Sequence, residues 1–327
     1  MHTPLRPKRV AFIACAAAFL ATSLIAAENP FIGRWALTIP GGGAGWLGIS
    51  ETNGQLRGSL LWGGGSVLPV TSTEVQGDTL IVKRVNGGRQ KTIETIVAKL
   101  DGDNLKLTTV TSGDDGKPRG RAAEFTGKRI PPVPPAPDLT KVKFGEPISL
   151  FNGKDLSGWK TIGKDPSAWK VVDGILRNEV VQEPGQHKSY ANIRTEREFE
   201  DFNLTLEFRV PPDGNSGVYL RGIYEIQVAN SFGKRNDSHN CGALYSRIMP
   251  SENVSKPPGE WQMFDITLVD RHLTLVHNGT KTIDNQPVLG CTGGALWSDE
   301  SRPGPVYLQG DHSNVDYRNI VLRPVVK

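Results

Sequence analysis

Alternation between apolar and polar side chains is the feature that limits the fold of this chain most. From Phe202 to Arg209, every second residue is Phe or Leu, and most of the others are polar. A period of two places the two sets of side chains on opposite faces of a β-strand. Other short runs of β-branched residues recur between turns rich in Gly and Pro, and no long stretch shows helical periodicity. The sequence therefore predicts an all-β chain without the crossover helices of a parallel sheet.

A proline-rich segment divides the chain into two parts. Pro131 to Pro137 reads PPVPPAP. Such a run adopts the extended polyproline conformation and lacks most of the amide donors that a sheet needs. Because 327 residues exceed what one core usually organises, two domains are the default expectation. We predict a small antiparallel β domain at residues 28–129, a semi-rigid linker at 130–143 and a second β domain at 144–327.

The N-terminal segment has the layout of a secretory signal peptide. Basic residues precede a short apolar run, and the small residues Ala26 and Ala27 stand before Glu28. We predict a signal peptide at residues 1–27 and a periplasmic or secreted protein without stable membrane insertion, because the apolar run is too short for a span. Removing Arg6, Lys8 and Arg9 changes the formal net charge from +4 to 4 − 3 = +1. This balance gives no basic footprint for nucleic acid.

Two cysteines remain once the predicted signal peptide is removed. They are Cys241 and Cys291. An even pair in an oxidising compartment favours a disulfide, so we predict a Cys241–Cys291 bond. Neither residue belongs to a C-x-x-C motif, and the sequence therefore gives little support to a metal or redox site.

The first domain shows short runs of β-branched residues separated by turn signals such as Asn53-Gly54. It opens with Gly33-Arg34-Trp35. A G-x-W opening followed by hairpins resembles the first strand of lipocalin-like barrels, in which the Trp closes one end. The resemblance implies a small antiparallel lipocalin-like β-barrel. Glycine clusters at 41–43 and 63–65 are interpreted as flexible loop tips, because neither has the helix and the Lys of a phosphate loop.

The stretch from Asn215 to Gln227 offers a polar surface on two successive strands. Alternation places Tyr219 and Arg221 on one face of the first strand, and Glu225 and Gln227 on the polar face of the second. An aromatic ring suits the C–H face of a sugar, and charged or amide groups suit its hydroxyls. An ordinary sheet with a half-solvated outer face explains the same pattern. The residues alone leave both readings open.

The second domain carries a series of motifs in a fixed order. They are Ile148 to Trp159, Trp169 to Leu176, Phe202 to Arg209, Asn215 to Arg221, Gly242 to Tyr245, Gly259 to Trp261, Asn278-Gly279, Gly304 to His312 and Tyr317 to Ile320. In this order and spacing they resemble the 3-keto-disaccharide hydrolase family over nearly all of the second domain and none of the first. The resemblance implies a concanavalin A-like jelly roll of two antiparallel sheets with carbohydrate in the concave face. Asn278-Gly279 agrees independently, since it predicts a tight hairpin.

The resemblance also implies a reaction and a partner. The family acts on sugars that a separate sugar 3-dehydrogenase has oxidised at C3, so the substrate is a 3-keto-glycoside. The ketone acidifies the C2 proton, a base removes it, the enolate expels the C1 substituent, and water adds to the enone. The net result is hydrolysis. Such a site needs a base near C2, a cation or strong donor for the enolate oxygen, and a proton donor for the leaving group.

Residues of the matched motifs and of the stretch from Asn215 to Gln227 are assigned to these roles. His312 is the first candidate for the base or proton shuttle, Glu225 for an acid/base or for orienting His312, and Arg221 for the enolate. The alternatives without a catalytic role are a turn histidine for His312, a solvent-facing carboxylate for Glu225 and a surface ion pair for Arg221. The expected sugar-binding residues are Asn215, Tyr219, Gln227, Tyr245, Gln309 and Asp311.

Cofactor use and two other function classes stay open. The sequence assures no cofactor, and a divalent cation held by Glu225, Asp311 or His312 is left open because no ligand pair has a diagnostic spacing. The jelly roll is also a lectin scaffold, so the domain could bind glycan without cleaving it. Alternatively, Glu225 and Asp311 could act as a conventional acid and nucleophile pair, which requires carboxyl groups about 5 to 5.5 Å apart for retention.

Overall fold

The computed structural model describes residues 29–86, 91–183 and 188–326. The predicted signal peptide at residues 1–27 lies outside the described residues. Within the described ranges the chain forms strands, turns and loops and contains no helix, which confirms the predicted all-β class. No helical segment with the length and apolarity of a membrane span occurs there. The chain from Phe31 to Lys327 is one compact unit.

The N-terminal part forms a single antiparallel sheet of nine strands. Its strands are β1 (Gly33–Thr38), β2 (Ala44–Thr52), β3 (Gln55–Trp62), β4 (Leu68–Pro69), β5 (Ser72–Gln76), β6 (Thr79–Asn86), β7 (Thr92–Asp101), β8 (Asn104–Gly113) and β9 (Ala123–Arg129). The spatial order is β4-β3-β2-β1-β9-β8-β7-β6-β5. The sheet is curled, but its end strands β4 and β5 do not pair with each other. It is therefore a half-barrel and not a closed barrel.

Trp35 is fully buried in the apolar core of this half-barrel. The indole Nε1 of Trp35 donates a hydrogen bond to the carbonyl oxygen of Phe31 at 3.1 Å, and the guanidinium of Arg129 lies 4.0 Å from the ring centroid. Leu47 and Leu60 belong to the same buried cluster. The sequence predicted a packing role for the Trp of the G-x-W opening, and its burial agrees with that role.

The C-terminal part forms two antiparallel sheets. Its strands are β10 (Ile148–Ser149), β11 (Trp159–Ile162), β12 (Trp169–Val172), β13 (Ile175–Asn178), β14 (Asn192–Thr195), β15 (Phe202–Arg209), β16 (Asn215–Leu220), β17 (Tyr224–Ala229), β18 (Gln262–Val269), β19 (His272–His277), β20 (Thr280–Pro287), β21 (Tyr307–Leu308) and β22 (Val315–Pro324). The eight-stranded sheet has the order β12-β13-β22-β15-β18-β19-β20, with β10 paired to β22. The five-stranded sheet has the order β11-β14-β21-β16-β17.

The two C-terminal sheets pack face to face around one apolar core. Strand β15 lies between β22 and β18, and its burial alternates at every residue, as the sequence predicted. Leu204 from this strand joins Val218 and Ile226 from the five-stranded sheet in the same buried cluster. The arrangement confirms the predicted sandwich of two antiparallel sheets. The other face of the five-stranded sheet points away from this core.

The N-terminal sheet packs against the sandwich through its outer face. Ala36, Trp46 and Leu61 alternate with the residues of the half-barrel core and join the core cluster of the sandwich. The hydroxyl of Ser298 donates to the carbonyl oxygen of Leu37 at 2.7 Å. The N-terminal sheet and the sandwich, which lie on either side of the proline-rich segment in the sequence, are therefore in direct contact. The domain boundaries at residues 28–129, 130–143 and 144–327 stay predictions.

The predicted disulfide between Cys241 and Cys291 is wrong, because both residues are free buried thiols. Each thiol has its own surroundings. The Cys291 thiol lies 3.9 Å from the carbonyl oxygen of Gly45, whereas the Cys241 thiol is next to Ser255 and Ala229. Burial raises the pKa of each thiol to about 12, so both stay protonated and unreactive at neutral pH.

Candidate functional site

A cavity of about 390 Å³ lies on the outer face of the five-stranded sheet. It brings together eight residues that the sequence nominated. They are Asn215, Tyr219, Glu225, Gln227, Tyr245, Gln309, Asp311 and His312. The other lining residues are Gly64, Gly65, Asn192, Gly293, Gly294 and Tyr307. A volume in this range is typical of small-ligand pockets.

The register of β16 and β17 explains why the polar side chains converge. Tyr219 pairs with Glu225, and Gly217 pairs with Gln227. Directly paired residues of an antiparallel ladder point to the same face, while Val218 between them is buried in the sandwich core. The alternation predicted for this hairpin therefore produces one polar floor. The backbone N–H of Tyr245 donates to the carbonyl oxygen of Glu225 at 3.0 Å and extends this floor beyond β17.

Glu225 is a buried carboxyl group at the centre of this floor. Its exposed fraction is 4%, and burial raises the pKa of its carboxyl to about 8. A hydrogen bond with Tyr219 opposes this increase, and the charge of Asp311 adds to it. Desolvation disfavours the ionised form of a carboxyl. Glu225 is therefore mostly protonated at neutral pH, yet close enough to its pKa to exchange a proton.

Gly217 leaves the space that the Glu225 carboxyl occupies. A Cβ atom at Gly217 would collide with Oε1 of Glu225 and lie 2.9 Å from its Cγ. This is closer than real Cβ contacts, so the carboxyl would have to move. The sequence motif contained Gly217, but periodicity alone gave no reason for a glycine inside a strand.

We expect Gly217→Ala to lower kcat without unfolding the protein. The backbone of Gly217 is not in the left-handed region, so the strain falls on the Glu225 side chain. A displaced acid/base group typically costs about 10-fold or more in rate. Steady-state kinetics and thermal unfolding of the variant check this. Unchanged kcat in a folded variant would show that the position of the Glu225 carboxyl does not matter.

Two tyrosines form an aromatic wall beside Glu225. The rings of Tyr219 and Tyr307 stack with centroids 4.0 Å apart and planes 12° from parallel. The hydroxyl of Tyr219 donates to the carbonyl oxygen of Gly293 at 2.8 Å. The amide Nδ2 of Asn192 donates to the hydroxyl oxygen of Tyr307 at 3.1 Å. Burial and the charge of Glu225 raise the pKa of Tyr307, so its hydroxyl stays a proton donor at neutral pH.

Three acceptor atoms of the cavity residues have no hydrogen-bond partner in the protein. They are Oε1 of Gln227, Oε1 of Gln309 and Oδ1 of Asp311. Nε2 of Gln227 is held by Asn215, whose Oδ1 accepts its hydrogen bond at 3.1 Å. A buried acceptor without a donor costs about 1–3 kcal/mol. A ligand with several O–H groups, such as a sugar, supplies the donors that these oxygens lack.

His312 and Asp311 lie together in the loop that follows β21. Nδ1 of His312 is 3.7 Å from Oδ1 of Asp311, and the His312 side chain is 41% exposed. The cavity therefore combines the buried carboxyl group of Glu225 with an imidazole that reaches solvent. Among the described residues, no group of three or more His, Cys, Asp or Glu side chains is arranged to hold a metal ion.

Arg221 does not line the cavity, which corrects its predicted role at the enolate. Its guanidinium donates to the carbonyl oxygen of Glu300 at 2.7 Å and to that of Arg302 at 3.2 Å. Strand β16 ends at Leu220, and Arg221 has a left-handed φ of 54°. Alternation stops at such a turn, so the face assigned to Arg221 by periodicity does not apply. Arg221 instead holds the loop before β21.

Sequence reasoning did not nominate six of the lining residues, and all six lie outside the central hairpin. Asn192 lies in the four-residue strand β14, which is too short for a periodic signal. Tyr307 stands in a matched motif, and the same alternation that nominated Gln309 places it on the polar face. The glycines at 64 and 65 were assigned to a flexible loop tip, and those at 293 and 294 have no side chain that a polar pattern would select.

Comparisons with known proteins show which proteins this chain is similar to. The chain is 29% identical to the 3-keto-disaccharide hydrolase of Bacteroides thetaiotaomicron, and the match covers 40% of this chain and 54% of that protein. The chain therefore spans about half the length of this curated relative. Two crystal structures of candidate glycosyl hydrolases from Parabacteroides distasonis are also similar. One is 29% identical, covers 60% of this chain and 94% of its own, and has a TM-score of 0.45. The other is 22% identical, with coverages of 55% and 94% and a TM-score of 0.44.

A family match covers most of the C-terminal sandwich and all cavity residues except Gly64 and Gly65. It spans residues 146–323, which is more than half of the chain, and it describes a 3-keto-alpha-glucoside-1,2-lyase-like domain. The resemblance found in the sequence motifs is thereby confirmed. The chain belongs to the 3-keto-disaccharide hydrolase family, whose characteristic unit is this 3-keto-alpha-glucoside-1,2-lyase-like domain.

Proposed function

We propose that this protein is an exported enzyme that cleaves the glycosidic bond of 3-keto-glycosides by C2 proton abstraction, elimination and rehydration. The observation that carries the proposal is the buried Glu225 carboxyl, with a pKa raised to about 8, on the floor of a cavity with unpaired acceptors. A group with a pKa near the working pH is suited to both giving and taking a proton. Family membership supplies the substrate class.

The cavity residues divide the proton transfers between them. His312, at the solvent-exposed rim, takes the C2 proton, and the C2–H electron pair moves into the enolate of the C3 ketone. The enolate then expels the C1 oxygen, which takes the proton of Glu225 as the C1–O bond breaks. Water then adds to C1 of the resulting enone, with its proton passing to Glu225, and His312 returns its proton to C2. The net change is hydrolysis, and both residues regain their starting protonation states.

Tyr307 replaces Arg221 as the candidate donor for the enolate oxygen. Its hydroxyl accepts a hydrogen bond from Asn192, and we assign its proton to the enolate oxygen. Its raised pKa keeps that proton in place. A preoriented donor in a water-poor site stabilises a developing oxyanion more than it stabilises a neutral ketone. Gln227, Gln309 and Asp311 would then accept hydrogen bonds from the remaining sugar hydroxyls.

The test compares a methyl glucoside with its 3-keto derivative in deuterated buffer. We expect free sugar from the keto compound alone, with deuterium at C2 of the product, because only the ketone makes C2–H acidic. Equal cleavage of both sugars without exchange at C2 would contradict the elimination mechanism. Binding of both sugars without cleavage would identify a lectin.

A conventional two-carboxylate hydrolase is the second candidate. One observation favours it: the charge of Asp311 contributes to the raised pKa of Glu225. A protonated acid beside an ionised carboxylate is the pattern of a glycosidase acid and its partner. Cleavage of the unoxidised glucoside would select this mechanism. In the preferred proposal, the 3-keto substrate comes instead from a separate sugar 3-dehydrogenase.

A further inference from the structure

The loop that joins β3 to β4 in the N-terminal sheet reaches the cavity of the sandwich. Gly64 and Gly65 of this loop line the cavity together with Tyr219 and Glu225. Both glycines precede the proline linker, and both lie outside the segment that matches the family. The glycine loop, defined here as residues 63–67, is therefore a contribution of the N-terminal sheet to a site that the family domain does not complete alone.

Contacts on both sides hold the glycine loop in place. The backbone N–H of Gly294 donates to the carbonyl oxygen of Gly63 at 3.2 Å. The hydroxyl of Ser66 and Nε2 of His239 are hydrogen-bonded at 2.9 Å, and the backbone N–H of Val67 donates to the hydroxyl of Ser246 at 3.1 Å. These bonds correct the expectation that residues 63–65 are a flexible loop tip.

One of these contacts connects the loop to a cavity side chain. The ring of His239, which is bonded to Ser66, lies edge-on to Tyr245 with centroids 4.9 Å apart. Oδ1 of Asp237 lies 2.7 Å from Nδ1 of His239 and orients the same ring. The position of the glycine loop and the position of Tyr245 are therefore coupled through one imidazole.

The backbones of two glycine pairs meet where the loop touches the sandwich. A Cβ atom at Gly293 would collide with the carbonyl oxygen of Gly65. Gly294 has a left-handed φ of 77°, and its Cβ would lie 2.6 Å from the hydroxyl of Tyr219. A side chain at Gly293 would push the loop away from the sandwich, and a side chain at Gly294 would displace Tyr219. Glycine at these positions therefore permits the close approach that forms the wall.

Gly64 differs from Gly293 and Gly294 because it borders open space, and from Gly65 because its φ is not positive. A Cβ atom there would meet no atom within 4 Å, and its φ is outside the left-handed region. A side chain at Gly64 would therefore cause neither strain nor a clash in the free protein. Gly64 lines the cavity of about 390 Å³ and is itself exposed, so a bulky side chain at this position would add volume at the edge of the cavity.

We infer that the glycine loop of the N-terminal sheet is a wall of the sugar cavity and sets the size of the glycoside that the site accepts. The inference deepens the proposed function and rests on it for the identity of the sugar. The N-terminal sheet is then part of the substrate site. A backbone wall without side chains leaves volume for the group attached at C1 and presents peptide groups to its hydroxyls.

The experiment is a size series at Gly64 in the full chain. Gly64→Ala, Gly64→Leu and Gly64→Trp are compared with wild type and with Gln76→Trp, a control on exposed strand β5 of the same sheet. The kcat/KM of each protein is measured on a methyl 3-keto-glucoside and on a 3-keto-disaccharide. Calorimetry gives the affinity for each sugar, and thermal unfolding checks the fold.

We expect kcat/KM and affinity to fall in the order Ala, Leu, Trp, by about 10-fold or more for Trp and more steeply for the disaccharide. Gln76→Trp should match wild type. If all Gly64 variants have the kcat/KM and affinity of wild type, the inference that the glycine loop is a wall of the cavity is wrong. The proposed function would be unaffected. If wild type binds the sugars without cleaving them and the Gly64 substitutions weaken binding, the inference about the glycine loop is supported. The proposed cleavage reaction would then be wrong. Absence of binding by wild type would overturn both.

Discussion

Glu225→Gln is expected to lower kcat on a 3-keto-glycoside by about 10²- to 10⁴-fold, with a much smaller change in KM. The amide keeps the shape of the side chain and cannot release a proton to the leaving oxygen. Sugar contacts through Gln227 and Gln309 remain, so ground-state binding is largely preserved. Steady-state kinetics on the 3-keto substrate give both parameters, and Glu252→Gln on the exposed surface is the matched control.

The pH dependence of the same reaction separates a proton donor from a base. If Glu225 is the proton donor, wild-type activity should decline as the pH rises through about 8, because the ionised carboxylate has no proton to give. Activity that rises over this range would instead make Glu225 the base. In either case the ionisation should vanish from the profile of Glu225→Gln. A variant with wild-type kcat would remove Glu225 from the chemistry.

Periodicity predicted the polar floor of the site because the floor is a regular hairpin. Tyr219, Glu225 and Gln227 lie where alternation places them, since β16 and β17 pair without a register shift. The same reasoning failed for Arg221 as soon as the chain left the strand. Its left-handed turn conformation depends on the loop that it holds, and a local pattern contains no information about that loop.

The remaining errors concern contacts between segments that are distant in the sequence. The expected Cys241–Cys291 pair had a physical rationale in export, but each thiol lies in its own packing environment. The glycines at 63–65 were interpreted as a loose tip because a turn-rich composition is all that the local sequence shows. Their role becomes visible only when Gly293 and Gly294 are placed against them. Long-range packing of this kind leaves no periodic signal.

The burial of Glu225 should make the stability of the protein depend on pH in a defined direction. Its folded-state pKa is raised from 4.5 to about 8, so the folded protein binds the proton more tightly than the unfolded chain does. This contribution to stability is fully present below about pH 4.5 and is lost as the pH rises through about 8. At about 1.4 kcal/mol per pKa unit, the loss amounts to up to about 5 kcal/mol across the window.

Glu225→Gln is therefore expected to be more stable than wild type at pH 9 by several kcal/mol and nearly equal to it at pH 5. Glutamine carries no charge at either pH, so the variant avoids the cost of a buried carboxylate. Urea unfolding at pH 5, 7 and 9 gives the free energy of unfolding of both proteins, and taking their difference cancels the titration of all other groups. Glu252→Gln, at an exposed position, should track wild type at every pH. Parallel curves for wild type and Glu225→Gln would mean that the carboxyl ionises without cost, and the enclosed proton donor of the proposed mechanism would then be lost.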